Sequence, residues 1–476
     1  MYHGYDAYKK TRDKSMKNRI RNGFITEAGK NTVCFLVTIS ILVVLFVLSS
    51  SIPKYIIREN LLKSANYLDS SEGLVYQLKQ GDRRTELHNY ADATTLNILY
   101  SIDGKDRVKD IFISPFYSDK MDLSKQVTEL LIERITYERA ADTMYDRYWH
   151  GMVLILRPLL TVFTIMQIRW IFLGALLGLM TLLTAMLIKR KQKFLAVLLW
   201  LSALAVQLPV IAFCMEYVPV FLLTFLFSVV VIKWENNRDA ILRLCIVNGT
   251  CVAFFDFLTT ETVAFVIPMA IIYCIWNSKG KLKKIKEELV YIIKAGCLWM
   301  GSYVMTYLIK WCLASIAHGE ERFSVALQQF VGRQGNQVLS YAVDSAENGT
   351  VSAEAALNAG GHILPQFFSA VILNIRLLLG LSGKISLEKL ALILIFIVFI
   401  AVALVYLFRK PGKLGALPFL LFLLGILPML RMMVLHNHSI EHCFFVYRAL
   451  YGTIFCFFAG FMELINWDFL RRRKRK

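Results

Sequence analysis

Long apolar runs constrain this chain more than any other feature of its sequence. A stretch of roughly 20 apolar residues matches the hydrocarbon core of a bilayer, and the 476 residues contain several such stretches. Charged residues account for 19% of the chain and hydrophobic residues for 56%, which is little charge for the surface of a soluble protein of this length. The sequence therefore predicts an all-α polytopic membrane protein.

The positive charges are distributed as in the cytoplasmic loops of a membrane protein. The formal net charge is +19, and most Lys and Arg residues lie in short clusters between the apolar runs, as the positive-inside rule expects. The basic segment 1–30 and the terminal RRRKRK then place both termini in the cytoplasm. This pattern argues against nucleic-acid binding and for a multi-pass protein of the cell membrane, in contact with membrane lipids.

The alternation of apolar runs and basic clusters predicts about ten transmembrane helices, with a long first external loop and interfacial or re-entrant helices. The predicted segments are a basic cytoplasmic N-terminus (1–30), a retained first helix (31–51), the external loop (52–169), helices two to seven (170–311), a second external segment (312–385), helices eight to ten (386–465) and a basic cytoplasmic tail (466–476).

Two apolar stretches do not fit a simple crossing. Residues 152–167 carry Arg157 and Pro158. A crossing there would place the next basic cluster outside, so a re-entrant or interfacial segment is favoured. Residues 363–381 are apolar around Arg376, and the sequence leaves open whether they enter the membrane.

Four polar groups flank predicted crossings on the external side, and they contain the candidate functional residues. A cation facing lipid is expensive, so such groups usually point into a water-filled cavity or at an anion. The groups are Asp92 in the first loop; Asp146, Arg147, His150 and Arg157 at the end of that loop; Asp256 and Glu261 in a tight turn; and His436, His438, His442 and Arg448 in the last external turn.

The last of these groups has the sharpest pattern. His438 and His442 are four positions apart, so on a helix they share one face, and Arg448 lies about one and a half turns further on. The imidazoles could bind a metal, or donate hydrogen bonds to a phosphate that Arg448 clamps with two N–H groups. They could also only mark the interfacial start of a helix. The sequence leaves these alternatives open.

Asp92 is the candidate general base of the first loop. Taking a proton from a sugar hydroxyl requires a carboxylate or an imidazole at the reacting centre. Asp69, Asp103 and Asp106 compete for that role in the same loop. Asp256 has an alternative role of its own, as the cap of the helix that follows it.

No motif indicates nucleotide-driven chemistry or a cysteine-based site. The chain has no Walker motif and no G-x-S-x-G elbow, which disfavours an ATP-driven pump. None of its nine cysteines forms a C-x-x-C pair, so neither a disulfide framework nor a zinc site is indicated.

Four motifs spread over most of the chain resemble a group of bacterial polytopic proteins that is associated with the GT-C class of integral-membrane glycosyltransferases. The motifs are YADATTLN, RYWHGMVLILRPLL, FFDFLTTE and HNHSIEHCFFVYR. Proteins of the GT-C class combine many spans with a long first external loop that bears a catalytic acidic residue. The paired acidic residues usual in that loop, D-x-D or D-E, do not occur around Asp92. The resemblance therefore assigns no metal ligand and leaves a divalent-metal cofactor open.

The resemblance implies an enzyme that moves a sugar from a polyprenyl-phosphate-linked donor to a glycan, lipid or cell-envelope polymer on the extracytoplasmic face. Asp92 would be its general base. The donor phosphate would be held by Arg147, His150, Arg157, His438, His442 and Arg448, with Asp146, Asp256, Glu261 and His436 as additional candidates. A polysaccharide polymerase or ligase and a lipid-linked glycan flippase or transporter are the alternatives.

Overall fold

The computed structural model describes residues 2–70, 75–79, 81–102, 106–120, 124–325, 327, 363–381, 397 and 415–465. Its α-helices are Tyr2–Ser50, Lys54–Ser70, Asn89–Ser101, Arg107–Ile113, Val127–Thr136, Met152–Leu159, Ile165–Lys189, Lys193–Ala205, Leu208–Ile211, Val218–Lys233, Arg238–Phe255, Val263–Ser278, Ile285–His318, Ile363–Leu378, Ala416–Val434, His436–Glu441, Cys443–Val446 and Leu450–Leu464. The tail 466–476, residues 386–414 of the predicted helices eight to ten except residue 397, and most of the second external segment lie outside the described residues.

The described part of the chain confirms a helical membrane protein. Five of its helical segments are long and apolar enough to cross a bilayer: Thr26–Ser50, Ile165–Lys189, Ile285–His318, Ala416–Val434 and Cys443–Leu464. The shorter apolar helices are Lys193–Ala205, Val218–Lys233, Val263–Ser278 and Phe367–Leu378. Each coincides with an apolar run of the sequence, because only a helix satisfies every backbone hydrogen bond inside one apolar segment.

Ion pairs tie several helix ends together at one end of the bundle. Glu235 lies 3.0 Å from the Arg190 guanidinium and 2.7 Å from the Lys279 ammonium, so the ends of three apolar helices meet there. Arg238 pairs with Glu288 at 2.7 Å. The 18-residue helix Arg238–Phe255 then rises about 27 Å, which carries Asp256 to the opposite end of the bundle.

The first loop folds into a cap with its own core. Helix Val127–Thr136 packs against helices Lys54–Ser70 and Asn89–Ser101, and Leu61, Leu96 and Leu131 are fully buried. Two short antiparallel strand pairs depart from the predicted all-α class: Val75–Gln77 with Glu86–His88, and Pro115–Phe116 with Thr143–Met144.

The stretch 152–167 forms a short helix instead of a span. Helix Met152–Leu159 has 8 residues, so it is about 12 Å long and cannot cross a hydrocarbon core of about 30 Å. Its Arg157 is fully buried and donates to three carbonyls, those of Ile52, Leu99 and Ile102, at 2.7 to 2.9 Å. These carbonyls lie at or just beyond the C-terminal ends of two helices, where oxygens lack intrahelical donors. Arg157 therefore ties the first helix to the cap.

Close packing of two helices at Gly249 leads to a first prediction. A Cβ atom on Gly249 would collide with the Trp299 carbonyl oxygen and the Ser302 hydroxyl, whereas one on Gly301 would meet nothing within 4 Å. Gly249→Ala should therefore lower the free energy of unfolding by about 1–3 kcal/mol, the usual cost of overpacking.

Thermal unfolding of the purified protein in detergent measures this effect. Gly301→Ala, on the facing helix Ile285–His318, is the matched control and should leave the Tm unchanged or slightly raised, because alanine favours helix more than glycine does. Equal Tm values for the two variants would contradict the packing described at Gly249.

Candidate functional site

Asp92 lies in a closed ion pair within the described structure. Its Oδ2 is 2.7 Å from the Arg169 guanidinium, and its Oδ1 accepts the backbone N–H of Met215 at 2.9 Å. Burial raises the pKa of this carboxyl above its usual value, although Arg169 and the Met215 N–H act in the opposite direction. Both carboxylate oxygens are thus engaged within the fold, and the assignment of Asp92 as a base stays a prediction.

A second, more open pair lies one helical turn before Asp92. His88 Nδ1 is 2.7 Å from Glu216 Oε2. The side chains of His88 and Glu216 are 16% and 11% exposed, against 0% and 1% for Asp92 and Arg169. Burial alone would lower the pKa of His88, but the carboxylates of Glu216, Asp92 and Glu86 together outweigh it and the pKa is raised. The partial exposure of the His88 ring leaves it open to water.

Arg448 is a fully buried cation held between two aromatic rings. Its guanidinium carbon lies 4.6 Å from the ring centroid of Tyr217 and 4.8 Å from that of Tyr447. Two of its nitrogens donate to the carbonyls of Phe444 and Arg84, at 2.7 and 3.0 Å, while Nε has no hydrogen-bond partner among the described residues. The side chain thus keeps a free N–H donor in a buried place.

Arg448 has no ion pair with a carboxylate among the described residues. Five carboxylates at this end of the bundle each pair with another basic residue. The pairs are Arg83–Glu86, Arg84–Asp82, His88–Glu216, Arg169–Asp92 and Arg431–Glu261. A buried, uncompensated guanidinium is costly, so this region has a surplus positive charge available to an anion.

The turn after helix Arg238–Phe255 is bonded to the segment that contains Arg431 and His438, which the sequence predicts to be the last external turn. Glu261 pairs with Arg431 at 2.7 Å. Leu258 has a left-handed backbone with a φ of 64°, and its carbonyl accepts hydrogen bonds from both Arg431 and His438. Such a backbone is uncommon for leucine, and the two donors hold it in place.

Asp256 caps this turn instead of the helix after it. Its carboxylate accepts the Thr259 N–H and hydroxyl, whereas the next helix begins at Val263 without a side-chain cap. Burial, with the nearby Glu261 carboxylate, raises the pKa of Asp256 to about 7. The alternative role as a cap of the following helix is therefore replaced by a role within the turn.

The last external turn brings the histidines together without a metal-binding arrangement. The rings of His438 and His442 lie 4.6 Å apart, and His442 stacks on Phe445 at 5.2 Å. The His436 ring contacts the Phe367 ring, with their centroids 4.9 Å apart. Within the ranges that the structure describes, no group of three or more histidine, cysteine or acidic side chains is placed to hold a metal ion.

The end of the first loop forms an aromatic cluster beside the same turn. The His150 ring lies 5.2 Å from Phe257 and bonds through Nε2 to the Tyr145 carbonyl. Burial lowers the pKa of His150 to about 3, so it is a neutral imidazole at physiological pH. Arg147 lies 4.7 Å over the Tyr145 ring, and Asp146 pairs with Arg322 at 2.6 Å.

The four predicted groups form one continuous network, which we call the outer network. His88 of the first loop touches Phe444 of the last turn, with ring centroids 5.4 Å apart. His438 of that turn bonds to Leu258 at 2.8 Å, and the adjacent Phe257 contacts Tyr148 at 5.3 Å. Arg157 stands apart, because its donors are used by the carbonyls of the cap.

Sequence reasoning missed the residues that complete the network: His88, Arg169, Glu216, Tyr217 and Arg431. A signal for Glu216 was present, since it is the one acidic residue between Lys193 and Lys233. The competing first-loop carboxylates contribute less. Asp69 accepts the Thr128 hydroxyl at 2.7 Å, Asp106 only precedes helix Arg107–Ile113, and Asp103 lies outside the described residues.

No family model, curated protein or solved structure matches this chain. The described residues define a helical membrane protein whose outer network lies at the end of the bundle opposite the ion pairs of Glu235.

Proposed function

We propose that this protein is a multi-pass membrane glycosyltransferase. It would take a sugar from a polyprenyl-phosphate-linked donor and pass it to a glycan, lipid or cell-envelope polymer at the extracytoplasmic face. The observation that carries the proposal is the surplus positive charge at Arg448, a buried guanidinium with an unpartnered Nε and no ion pair among the described residues. Phosphate suits such a group, because a guanidinium offers it parallel, charge-assisted hydrogen bonds.

The proposal includes about ten spans with both termini in the cytoplasm. The ion pairs at Glu235 support this topology, because they join helix ends that carry the basic clusters at 189–193 and 279–286. Basic clusters favour the cytoplasmic side. The outer network is at the other end of helix Arg238–Phe255, which would then be the extracytoplasmic side.

A lipid-linked donor needs a cation at the level where the membrane ends, since its apolar chain stays in lipid and its phosphate does not. Arg448 fits this need, because a 3₁₀ turn at Tyr447–Ala449 precedes the apolar helix Leu450–Leu464. The charge that develops on the leaving phosphate would be stabilised by donors already in place. His438 and His442, whose rings lie 4.6 Å apart in the same turn, are kept as further candidate ligands of the phosphate.

The other predicted phosphate ligands receive unequal support. Arg147 is a half-buried cation stacked on Tyr145, and we retain it as a second contact to the donor. His150 would contribute only as a neutral hydrogen-bonding group, because its pKa is about 3. Arg157 is left out of the proposed site, since its guanidinium is used by backbone carbonyls.

Reconstituted protein tests the function directly. Purified protein in nanodiscs would be incubated with a panel of radiolabelled polyprenyl-phosphate monosaccharides and with extracted cell-envelope glycans, lipids and polymers. We expect release of polyprenyl phosphate together with label in an acceptor, and no turnover of nucleotide sugars.

Other outcomes separate the alternatives. Transfer from pre-assembled lipid-linked oligosaccharides alone would indicate a polymerase or ligase. Movement of the intact donor across a vesicle membrane without release of phosphate would indicate a flippase. Either result would overturn the proposed reaction.

A further inference from the structure

We propose that His88, oriented by Glu216, accepts the proton from the acceptor hydroxyl, in place of Asp92. This assignment rests on the proposed glycosyltransferase activity and names the group that performs its proton transfer. It is carried by the position of the pair in the outer network, where Phe444 contacts both His88 and Arg448, and Tyr217, the residue after Glu216, also contacts Arg448.

The first argument is access. His88 and Glu216 come from two separate parts of the chain, the end of strand Glu86–His88 and the segment between helices Leu208–Ile211 and Val218–Lys233. Their contact of 2.7 Å leaves both side chains partly exposed, at 16% and 11%. A base must reach the proton that it abstracts, whereas the carboxylate oxygens of Asp92 are already bound by Arg169 and by the Met215 N–H.

The second argument is orientation. Glu216 binds Nδ1 of His88, which fixes the ring and directs Nε2 away from the carboxylate. A carboxylate that holds one ring nitrogen keeps the imidazole in the tautomer whose other nitrogen accepts a proton. The same carboxylate stabilises the imidazolium that forms.

The third argument is the surface around the imidazole. The Tyr90 ring stacks beside His88 at 5.8 Å and 23°, and Tyr90 is 46% exposed. The Phe444 ring contacts His88 edge-on at 5.4 Å. An exposed aromatic ring beside a polar group suits a sugar, which has an apolar face and hydroxyl edges. The acceptor class is therefore a glycan that presents a hydroxyl to His88.

The step balances within the proposed site. The acceptor oxygen forms a bond to the anomeric carbon of the donor, and its proton passes to Nε2 of His88. The bond from the anomeric carbon to the phosphate oxygen breaks, and its electron pair leaves with the phosphate at Arg448. The imidazolium, paired with Glu216, then loses its proton to water.

The charged groups near His88 predict how the transfer rate depends on pH. Glu216, Asp92 and Glu86 all raise the pKa of His88, while burial opposes them. A base works only in its unprotonated form, so the rate should rise with pH through a His88 pKa above the ordinary value. Removing the charge of Glu216 should move this rise to lower pH.

The experiment compares His88→Gln, Glu216→Gln and His318→Gln with the unaltered protein in the reconstituted donor assay, from pH 5 to 9. His318 is the control because it is another imidazole close to a glutamate, 3.8 Å from Glu320. We expect His88→Gln to lower kcat by about 10²- to 10⁴-fold, the usual contribution of a general base. Equilibrium binding of polyprenyl phosphate should be unchanged in that variant, which shows that the fold and the donor site are intact.

The second variant keeps the test decisive if His88→Gln folds poorly. Glu216→Gln should stay active, with the rise of its pH–rate profile moved to lower pH, and His318→Gln should match the unaltered protein. An unchanged kcat in His88→Gln, or an unmoved profile in Glu216→Gln, would overturn the assignment while the glycosyltransferase function stands. Absence of donor turnover by the unaltered protein would overturn both.

Discussion

Arg448→Ala is expected to weaken binding of polyprenyl phosphate by about 30- to 150-fold, because a hydrogen bond to a charged group contributes roughly 2–3 kcal/mol. The unaltered side chain lies over the rings of Tyr217 and Tyr447, and its Nε–H has no hydrogen-bond partner among the described residues. Arg448→Lys should recover only part of the affinity, since an ammonium keeps the charge but loses the planar fork. In both variants, transfer activity should fall together with the affinity for polyprenyl phosphate.

Equilibrium binding to the purified protein in nanodiscs measures this effect. Arg243→Ala is the matched control, because it removes the same charge at the opposite end of the bundle, where Arg243 lies 3.9 Å from Glu27. The control should bind polyprenyl phosphate as the unaltered protein does. Equal affinity in Arg448→Ala and Arg243→Ala would remove the main support for a phosphate-bearing donor.

Asp92→Leu is expected to lower the free energy of unfolding by about 3–5 kcal/mol, because it leaves the buried Arg169 without its counter-charge. The two side chains are 0% and 1% exposed and 2.7 Å apart. The double variant Asp92→Leu with Arg169→Met should regain most of this loss, since apolar groups of similar size often replace a buried ion pair without penalty.

Unfolding in detergent, followed by heat or by denaturant, gives the three free energies needed for a double-mutant cycle. Asp92→Asn adds a separate check on the role predicted from the sequence. If Asp92→Asn kept its full stability and lost transfer, Asp92 would return as the base and His88 would be displaced. We expect instead that the main effect of Asp92→Asn is a lower free energy of unfolding, and not a loss of transfer in a fully stable protein.

The apolar helices could be predicted from the sequence, because the length and composition of each apolar run are local properties. The charged motifs predicted from the sequence lie in the outer network, except Arg157, but their roles stay predictions. The sequence could not supply the partners, since Asp92 and Arg169 are 77 positions apart, and His88 and Glu216 are 128 apart. Which side chains meet over such separations is decided by helix packing.

Local patterns also failed where elements are very short. The strands Val75–Gln77 and Pro115–Phe116 span three and two residues, which is too few for an alternation of apolar and polar positions to be recognised. Asp256 was a reasonable cap by residue type, but its carboxylate closes a turn that ends before the helix starts.

The anchoring of Arg157 has a mechanical consequence. Four hydrogen bonds from one enclosed guanidinium hold the segment just after helix Tyr2–Ser50 to the cap. Separating them would leave a charge and three carbonyls without partners where water is scarce. We therefore expect the cap and the first helix to move together as a single rigid unit.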